Sequence, residues 1–378
     1  MRILIPGFDG YIGWPLTINL LSQGHEVVGY DDLSRRKNVY EMGSDSLTDI
    51  DDINNRISYL KFIGNFKLLS CADISFNEPF DAVIYLAQQP SAAWSMRSMI
   101  DATMTQYKNI IDHLELIHKI KKYCPNAHII KLGSMGEYGT PDCHIPEGIV
   151  PSKCISGYDE TCQMQGLLFP RTGISFYHIS KICDTYNLEF ACRTWGLTAT
   201  DIMQGIVYGV STPDTERDPG DPNLLTRFDY DECFGTVINR FATQAIANEP
   251  ITLYGAGTQA KSFLPLRDSI QAINLILNNP PEKGSYRTIN QLSTVHHLSH
   301  LAKLIKDFAN SDSTITNIPN PRTEIEDAPY HTTNKTLTDL GYQPSDPMVE
   351  INRLINDIKP FASRIKKEVL TPKIKWKS

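Results

Sequence analysis

The 378 residues contain eight cysteines but no C-x-x-C pair. That spacing gives no sign of a zinc ribbon or a thioredoxin-like redox site, and no metal is expected. Nor does a chain of this size need a disulfide framework, so reduced thiols in a cytosol are expected. No apolar run approaches the roughly 18 residues of a membrane helix. A basic surplus is also missing. The net charge is −7 and the pI about 5.8, which argues against a dedicated nucleic-acid binder. Internal repeats and low-complexity stretches are absent. Met1 leads directly into Ile3-Leu4-Ile5, so no targeting segment is expected ahead of the fold. What is present is core material. Hydrophobic residues make up 41% and charged residues 21%, which excludes global disorder.

Short apolar runs alternate with longer amphipathic ones through the first half. Arg2–Pro6, Glu26–Tyr30, Asp81–Leu86, Ala127–Leu132 and Leu197–Tyr208 read as strands. Tyr11–Gln23, Thr105–Tyr123 and Phe176–Thr194 read as helices. This alternation predicts βαβ units, hence an α/β fold with a doubly wound parallel sheet of Rossmann type. After about residue 210 the texture changes. Ser211–Asn223 reads as a Pro/Asp/Gly-rich loop, Phe234–Asn248 as a helix, and Ile251–Gly257 as a strand and turn. Leu298–Ala309 and Val349–Ile358 are amphipathic helices. Residues 1–210 are therefore expected to form the dinucleotide lobe. Residues 211–378 would mainly form a smaller α/β substrate lobe, with more than one crossover possible. Arg364–Ser378 carries six basic residues and one acidic residue. It reads as a solvated tail, or as an arm across a partner subunit.

Gly7, Gly10 and Gly13 follow the first strand in G-x-x-G-x-x-G spacing. They permit a tight turn, close approach of a pyrophosphate and a helix N-terminus aimed at it. Asp31 stands eighteen residues beyond Gly13, at the end of the second strand, with Asp32 beside it. A carboxylate there accepts ribose hydroxyls and repels a 2′-phosphate, favouring NAD over NADP. Arg35 and Arg36 follow and could serve a 2′-phosphate instead. Asp73 is placed to reach adenine or to cap a turn.

Tyr177 and Lys181 form a Y-x-x-x-K pair on one helix face. The lysine favours the phenolate, so the tyrosine can take a proton from an alcohol. Ser134 follows the apolar strand that ends at Leu132 and completes the constellation forty-three residues before Tyr177.

These elements resemble the extended short-chain dehydrogenase/reductase superfamily. Within it, Lys131–Pro141, Ser175–Lys181, Gln204–Val210, Asp229-Tyr230-Asp231 and Phe234-Gly235-Thr236 resemble the UDP-sulfoquinovose synthases. So do Asn239-Arg240-Phe241, Asn320-Pro321-Arg322 and Lys375-Trp376-Lys377. The resemblance implies that NAD oxidises UDP-glucose at C4, that the C6 hydroxyl is eliminated to a 4-keto-5,6-ene, that sulfite adds at C6, and that the hydride returns. It implies Tyr177 as base at O4, Lys181 as its modulator and Ser134 as a hydrogen-bonding partner. Glu137 and His178 would be the available proton carriers, and Met135 an inert replacement for an acidic residue. It extends the cofactor set to Asp9, Tyr11, Ile12, Leu33, Ile74, Leu86, Ala87, Gln88, Gln204 and Val207. For substrate it nominates Gln89, Gln106, Gln204, Thr236, Asn239, Arg240, Gln259, Lys261, Arg267 and Arg322. A homodimer pairing through Thr105–Tyr123 and Phe176–Thr194 is also implied.

One departure touches the chemistry. The family usually reads Glu-Gln-Arg-Ser-Ala where this chain has Gln88-Gln89-Pro90-Ser91-Ala92, and Pro90 cannot hold an anion as arginine would. The alternatives are a UDP-sugar 4-epimerase, a 5,6-dehydratase, or a synthase using another C6 nucleophile. From another class, a non-catalytic nucleotide-sugar binder remains. Product identity separates them.

Overall fold

The computed structural model describes residues 1–70, 78–141, 143–150, 167–169, 171–218, 220–327 and 330–376. The strands, in chain order, are β1 (Arg2–Pro6), β2 (Glu26–Tyr30), β3 (Phe66–Leu68), β4 (Ala82–Tyr85), β5 (His128–Leu132), β6 (Ile149–Val150) and β7 (Leu167–Leu168). They continue with β8 (Thr198–Gln204), β9 (Ile206–Tyr208), β10 (Ile251–Tyr254), β11 (Ala260–Pro265), β12 (Tyr286–Gln291), β13 (Thr294–His297) and β14 (Ile315–Ile318). Seven of them form one sheet in the order β12-β8-β5-β4-β1-β2-β3, every pair parallel. Helices cover both faces of a parallel sheet, so its strands read as continuous apolar runs. Ile3, Leu4 and Ile5 are fully buried, as are Val83 and Ile84. The strand order reverses between β1 and β4, and ligands of such sheets bind outside the carboxyl ends at that switch point.

The helices are α1 (Gly13–Ser22), α2 (Ser34–Glu41), α3 (Ile53–Ile63), α4 (Met99–Gln106), α5 (Asp112–Tyr123), α6 (Phe176–Trp195), α7 (Val237–Ile246), α8 (Leu266–Asn278), α9 (Leu298–Ala309), α10 (Lys335–Asp339) and α11 (Pro347–Ile358). One face of the sheet packs on Leu16 and Leu20 of α1 and Ile270, Ile273 and Ile276 of α8. The other packs on Leu116, Ile117 and Ile120 of α5 and Leu188 and Ala191 of α6. A second core gathers Phe228, Tyr230 and the apolar faces of α7, α9 and α11. Because β12 and α8 belong to the main sheet and its cover, the chain returns to the first lobe after residue 210.

Three expectations are corrected. The helix expected from Thr105 begins at Met99, where the Ser98 hydroxyl accepts the Asp101 N–H at 3.1 Å, and a π-turn at Tyr107–Ile111 joins α4 to α5. The single strand expected over Leu197–Tyr208 divides at Gly205. There β8 stays in the main sheet, while β9 joins a β13-β11-β9 sheet. A side chain at Gly205 would sit 2.9 Å from Ser262 Oγ and 3.0 Å from its carbonyl oxygen, so only glycine allows β11 to pass. Residues 364–376 are more than a solvated tail. Leu370 is buried in the second core, and Gln244 Nε2 donates to its carbonyl at 2.9 Å.

Candidate active site

The glycine loop is built by backbone proximity. Gly7 has φ +84°, and a Cβ there would lie 2.7 Å from the Leu86 carbonyl carbon and 2.8 Å from the Ala87 nitrogen. A Cβ on Gly13 would lie 2.0 Å from the Gly7 carbonyl oxygen. Gly10 N–H donates to Gly7 O at 3.1 Å. Helix α1 then begins at Gly13 after Ile12, which offers no side-chain cap. Its first N–H groups therefore lack side-chain partners, as an anion site requires.

Asp31 accepts from the Asp9 N–H at 3.1 Å and the Leu33 N–H at 2.8 Å. Burial and the neighbouring Asp9 push it up to about 6. Its two acceptor bonds, with no cationic partner among the described residues, fit a group offering hydroxyl donors. Asp32 is different. It is paired with Lys108 at 2.7 Å, and despite burial those bonds hold it below the usual carboxylate range. The arginines are also engaged. Arg36 clasps Asp9 through Nε and Nη2 at 2.6 and 3.0 Å, and Arg56 adds a contact at 2.8 Å. Arg35 pairs with Asp229 at 2.7 Å and lies over Phe234. Neither stands free for a 2′-phosphate. Tyr11 donates to Gly209 O, with Asn239 Nδ2 3.5 Å from its hydroxyl, so the glycine loop is tied to the second lobe. Ile12 packs with Val207. Asp73 and Ile74 lie outside the described residues.

Ser134 emerges from β5 as the cap of a short 3-10 turn, Met135–Tyr138. Its hydroxyl accepts the Gly136 N–H at 3.1 Å. Burial and then the charge of Glu137 push Tyr177 well above the usual phenol range, with a smaller opposing effect from Ser134, and Lys181 Nζ lies 5.7 Å from the Tyr177 ring centre. The α6 N-cap Ser175 sets the helix that carries Tyr177, His178 and Lys181. Lys181 Nζ donates to Leu132 O at 2.6 Å and to Gln88 Oε1. Gln88 Nε2 in turn donates to Asp184 Oδ2 at 2.9 Å. Burial, then the charge of Lys131, pushes Lys181 down to about 8.

His178 Nδ1 lies 2.8 Å from Ser175 Oγ, which leaves Nε2 for another partner. Burial, then the charges of Arg322 and Lys261, push it down to about 3. Gly136 makes room for the ring, since a Cβ there would sit 2.3 Å from Nε2.

Glu137 is placed under the loop. Its carboxylate accepts the Ser134 N–H at 2.9 Å and pairs with Arg171 Nη1 at 2.6 Å, with both side chains essentially sealed from solvent. Thr185 joins Arg171 at 2.8 Å and Asp201 at 2.6 Å, and Asp201 pairs with Lys131 at 3.1 Å. Sequence reasoning missed this ionic bed. Its signal was available in part: Lys131 and Asp201 stand inside apolar strands, where a charge requires a partner. Arg171 carried no local signal. Met135 packs with Tyr138 and Met203.

The second lobe contributes a cationic cradle around Tyr254. The guanidinium carbons of Arg240 and Arg322 lie 5.8 and 5.6 Å from its ring centre. Gln259 Nε2 donates to its carbonyl at 3.2 Å. Arg240 Nε, Arg322 Nε, Gln259 Oε1 and Thr236 Oγ1 are all buried with no partner among the described residues. Buried polar groups are normally satisfied, so this convergence fits a polar ligand. Lys261 pairs with Glu324 at 2.8 Å. Arg267 lies apart, held by Glu216 at 2.5 Å and Glu350 at 3.0 Å. Gln204 donates to Ser269 and Gln291, and Gln106 to Phe176 O. Gln89 donates to Ser91 O in its own loop at 3.1 Å and to Thr105 of α4 at 2.7 Å, and Pro90 beside it is exposed.

Residues 3–290 match the NAD dependent epimerase/dehydratase family, and the chain is a member of it. It is 38% identical to the UDP-sulfoquinovose synthase of Sulfolobus acidocaldarius, covering 100% of this chain and 98% of that one. It is 35% identical to the chloroplastic UDP-sulfoquinovose synthase of Spinacia oleracea, covering 100% and 79%. Within the larger family, the chain belongs with the UDP-sulfoquinovose synthases. The UDP-glucuronic acid 4-epimerase of Bacillus cereus, solved with UDP-glucuronic acid and NAD, shares the fold. Its TM-score is 0.68 at 17% identity, over 95% of this chain and 99% of that one.

Proposed function

We propose that this chain converts UDP-glucose and sulfite to UDP-sulfoquinovose with NAD as its cofactor. The observation that carries the reading is Lys181 Nζ 5.7 Å from the Tyr177 ring centre on α6, with Ser134 heading the turn after β5, at the carboxyl edge of the sheet. Full-length identity to the synthases supports the substrate. Gly7, Gly10 and Gly13, the α1 N-terminus and Asp31 would hold the dinucleotide. When bound, NAD supplies a reversible hydride sink for C4 of the sugar.

The chain's own residues move the protons. Tyr177 takes the O4 proton, with the buried ammonium of Lys181 favouring the phenolate. Ser134 fixes the O4 geometry. His178, neutral in this site, takes the C5 proton made acidic by the 4-ketone and serves the departing C6 hydroxyl. A bound diphosphate would oppose the charges of Arg322 and Lys261 and so lift part of what holds His178 down, while burial, the larger cause, remains. Glu137 acts through Ser134, since its carboxylate is already held by the Ser134 N–H, by Arg171 and by the Thr185 hydroxyl at 3.3 Å. Arg240, Arg322, Thr236, Asn239, Gln259 and Lys261 would hold the UDP diphosphate, whereas Arg267 braces α8 against α11. Sulfite then adds at C6 of the 4-keto-5,6-ene, and the hydride returns to C4. In this division the dinucleotide sits on the first lobe and the nucleotide sugar between the lobes.

A homodimer completes the proposal. Met99, Ile100 and Met104 of α4 and Phe176, Ile179, Tyr186 and Phe190 of α6 are 41–82% exposed on adjoining helices. An apolar surface of that extent suits a self-complementary interface. A reducing compartment such as the cytosol accords with the five free cysteines among the described residues. No described helix is long and apolar enough to cross a membrane. Mass spectrometry of the products from UDP-glucose, with and without sulfite, tests the reading. A C6 sulfonate formed only with sulfite is expected. A 4-epimer or a free enal as sole product would replace it.

A further inference from the structure

We propose that the segment after α11 is part of the substrate site, with Trp376 as a positioning residue that holds Arg322 for the UDP diphosphate. The inference rests on the reading of Arg322 as a diphosphate ligand.

The segment is fastened at successive points on the second lobe and then crosses toward the first. Tyr230 accepts the Lys366 N–H at 3.0 Å. Leu370 is buried against α7, with its carbonyl held by Gln244. Glu232 Oε2 accepts the N–H groups of both Lys373 and Ile374, the latter at 3.0 Å. Ile374 packs on a small apolar cluster of Val39, Trp94, Cys233 and Phe234. That cluster joins α2 and the Pro90 loop of the first lobe to the approach to α7. The segment therefore bridges the two lobes two residues before Trp376.

Trp376 lies with its ring centre 5.3 Å from the Arg322 guanidinium carbon, and Tyr254 lies 5.6 Å from the same carbon. Aromatic rings hold a guanidinium by its face and leave its edge N–H groups in the plane. The edge is the part that grips a phosphate bidentately. Consistent with this, Arg322 Nε is buried with no partner among the described residues. Long arginine side chains lose rotamer freedom on binding, and two rings remove that cost beforehand.

The test compares Trp376→Ala, Trp376→Phe and Arg322→Ala in the full-length holoenzyme. UDP affinity is read by calorimetry, KM and kcat with UDP-glucose, and stability by urea denaturation. Trp376→Ala should weaken UDP binding and raise KM about five- to thirty-fold, with kcat and the urea midpoint nearly unchanged. Trp376→Phe should recover most of the loss. If Arg322→Ala weakens UDP binding but Trp376→Ala does not, the positioning role is overturned while the diphosphate reading survives. If Arg322→Ala leaves UDP binding intact, the underlying reading fails and takes this inference with it. A Trp376→Ala variant that loses kcat and urea resistance together would mark a purely structural contact and refute the proposal.

Discussion

Glu137→Gln separates a proton carrier from a structural support. In the wild type, the carboxylate and Arg171 meet at 2.6 Å with side chains 0% and 1% exposed. Removing one charge from a buried pair leaves the other uncompensated, at a cost of about 3–5 kcal/mol. Asp201 also acts on Arg171 and softens the loss, so about 3 kcal/mol is expected. The amide oxygen can still accept the Ser134 N–H, so the loop should persist. Urea denaturation followed by tryptophan fluorescence gives the stability. NADH absorbance on adding UDP-glucose reports oxidation at C4, and deuterium uptake from heavy water reports exchange at C5. Stability should fall by the stated amount, and C5 exchange should fall only as far as oxidation does. Adding Arg171→Met to Glu137→Gln should recover much of the stability, because no charge is then stranded. Unchanged stability with NADH still forming and C5 exchange abolished would refute the reasoning and make Glu137 the C5 base.

Tyr177→Phe should abolish NADH formation, because no group remains to accept the O4 proton; retained absorbance would exclude Tyr177 as that base. His178→Ala should still form NADH yet lose C5 exchange, measured as deuterium uptake. Lys181 is pushed down to about 8 while Tyr177 is pushed up, so the pair loses its first proton near pH 8. The reactive form, phenolate beside ammonium, has the same proton count as the form with neutral lysine. Single-turnover oxidation should therefore rise about tenfold per pH unit below 8 and level off above it; a rate that is flat or falling from pH 6 to 8 would contradict this. Pro90→Arg should leave sulfite turnover within a few-fold if other cations hold the anion. Sulfite use by that variant alone would mean that the wild type stops at, or diverts, the 4-keto-5,6-ene. Ile179→Glu should convert a dimer in light scattering to a monomer, and a monomeric wild type would remove the interface.

Local rules fixed much of this protein before any tertiary contact was known. Gly7 and Gly13 were legible because a turn that brings backbone within 3 Å of backbone excludes every other residue. β1 and β2 were legible to the residue because a strand covered on both faces is built mainly of apolar residues. Tyr177 and Lys181 share a helix face by spacing alone. Other decisions required the fold. Whether Arg36 faces a phosphate or Asp9 depends on how α2 packs over the glycine loop. Whether Arg267 or Arg322 is free to meet an anion depends on carboxylates distant in sequence, Glu216 and Glu350. The same holds for Glu137, a plausible proton carrier by position, which Arg171 captures from thirty-four residues away. Charge is a long-range property with many possible partners, and sequence spacing cannot choose among them. Only the tertiary structure assigns each buried charge its counter-ion and so decides which side chains remain available for chemistry.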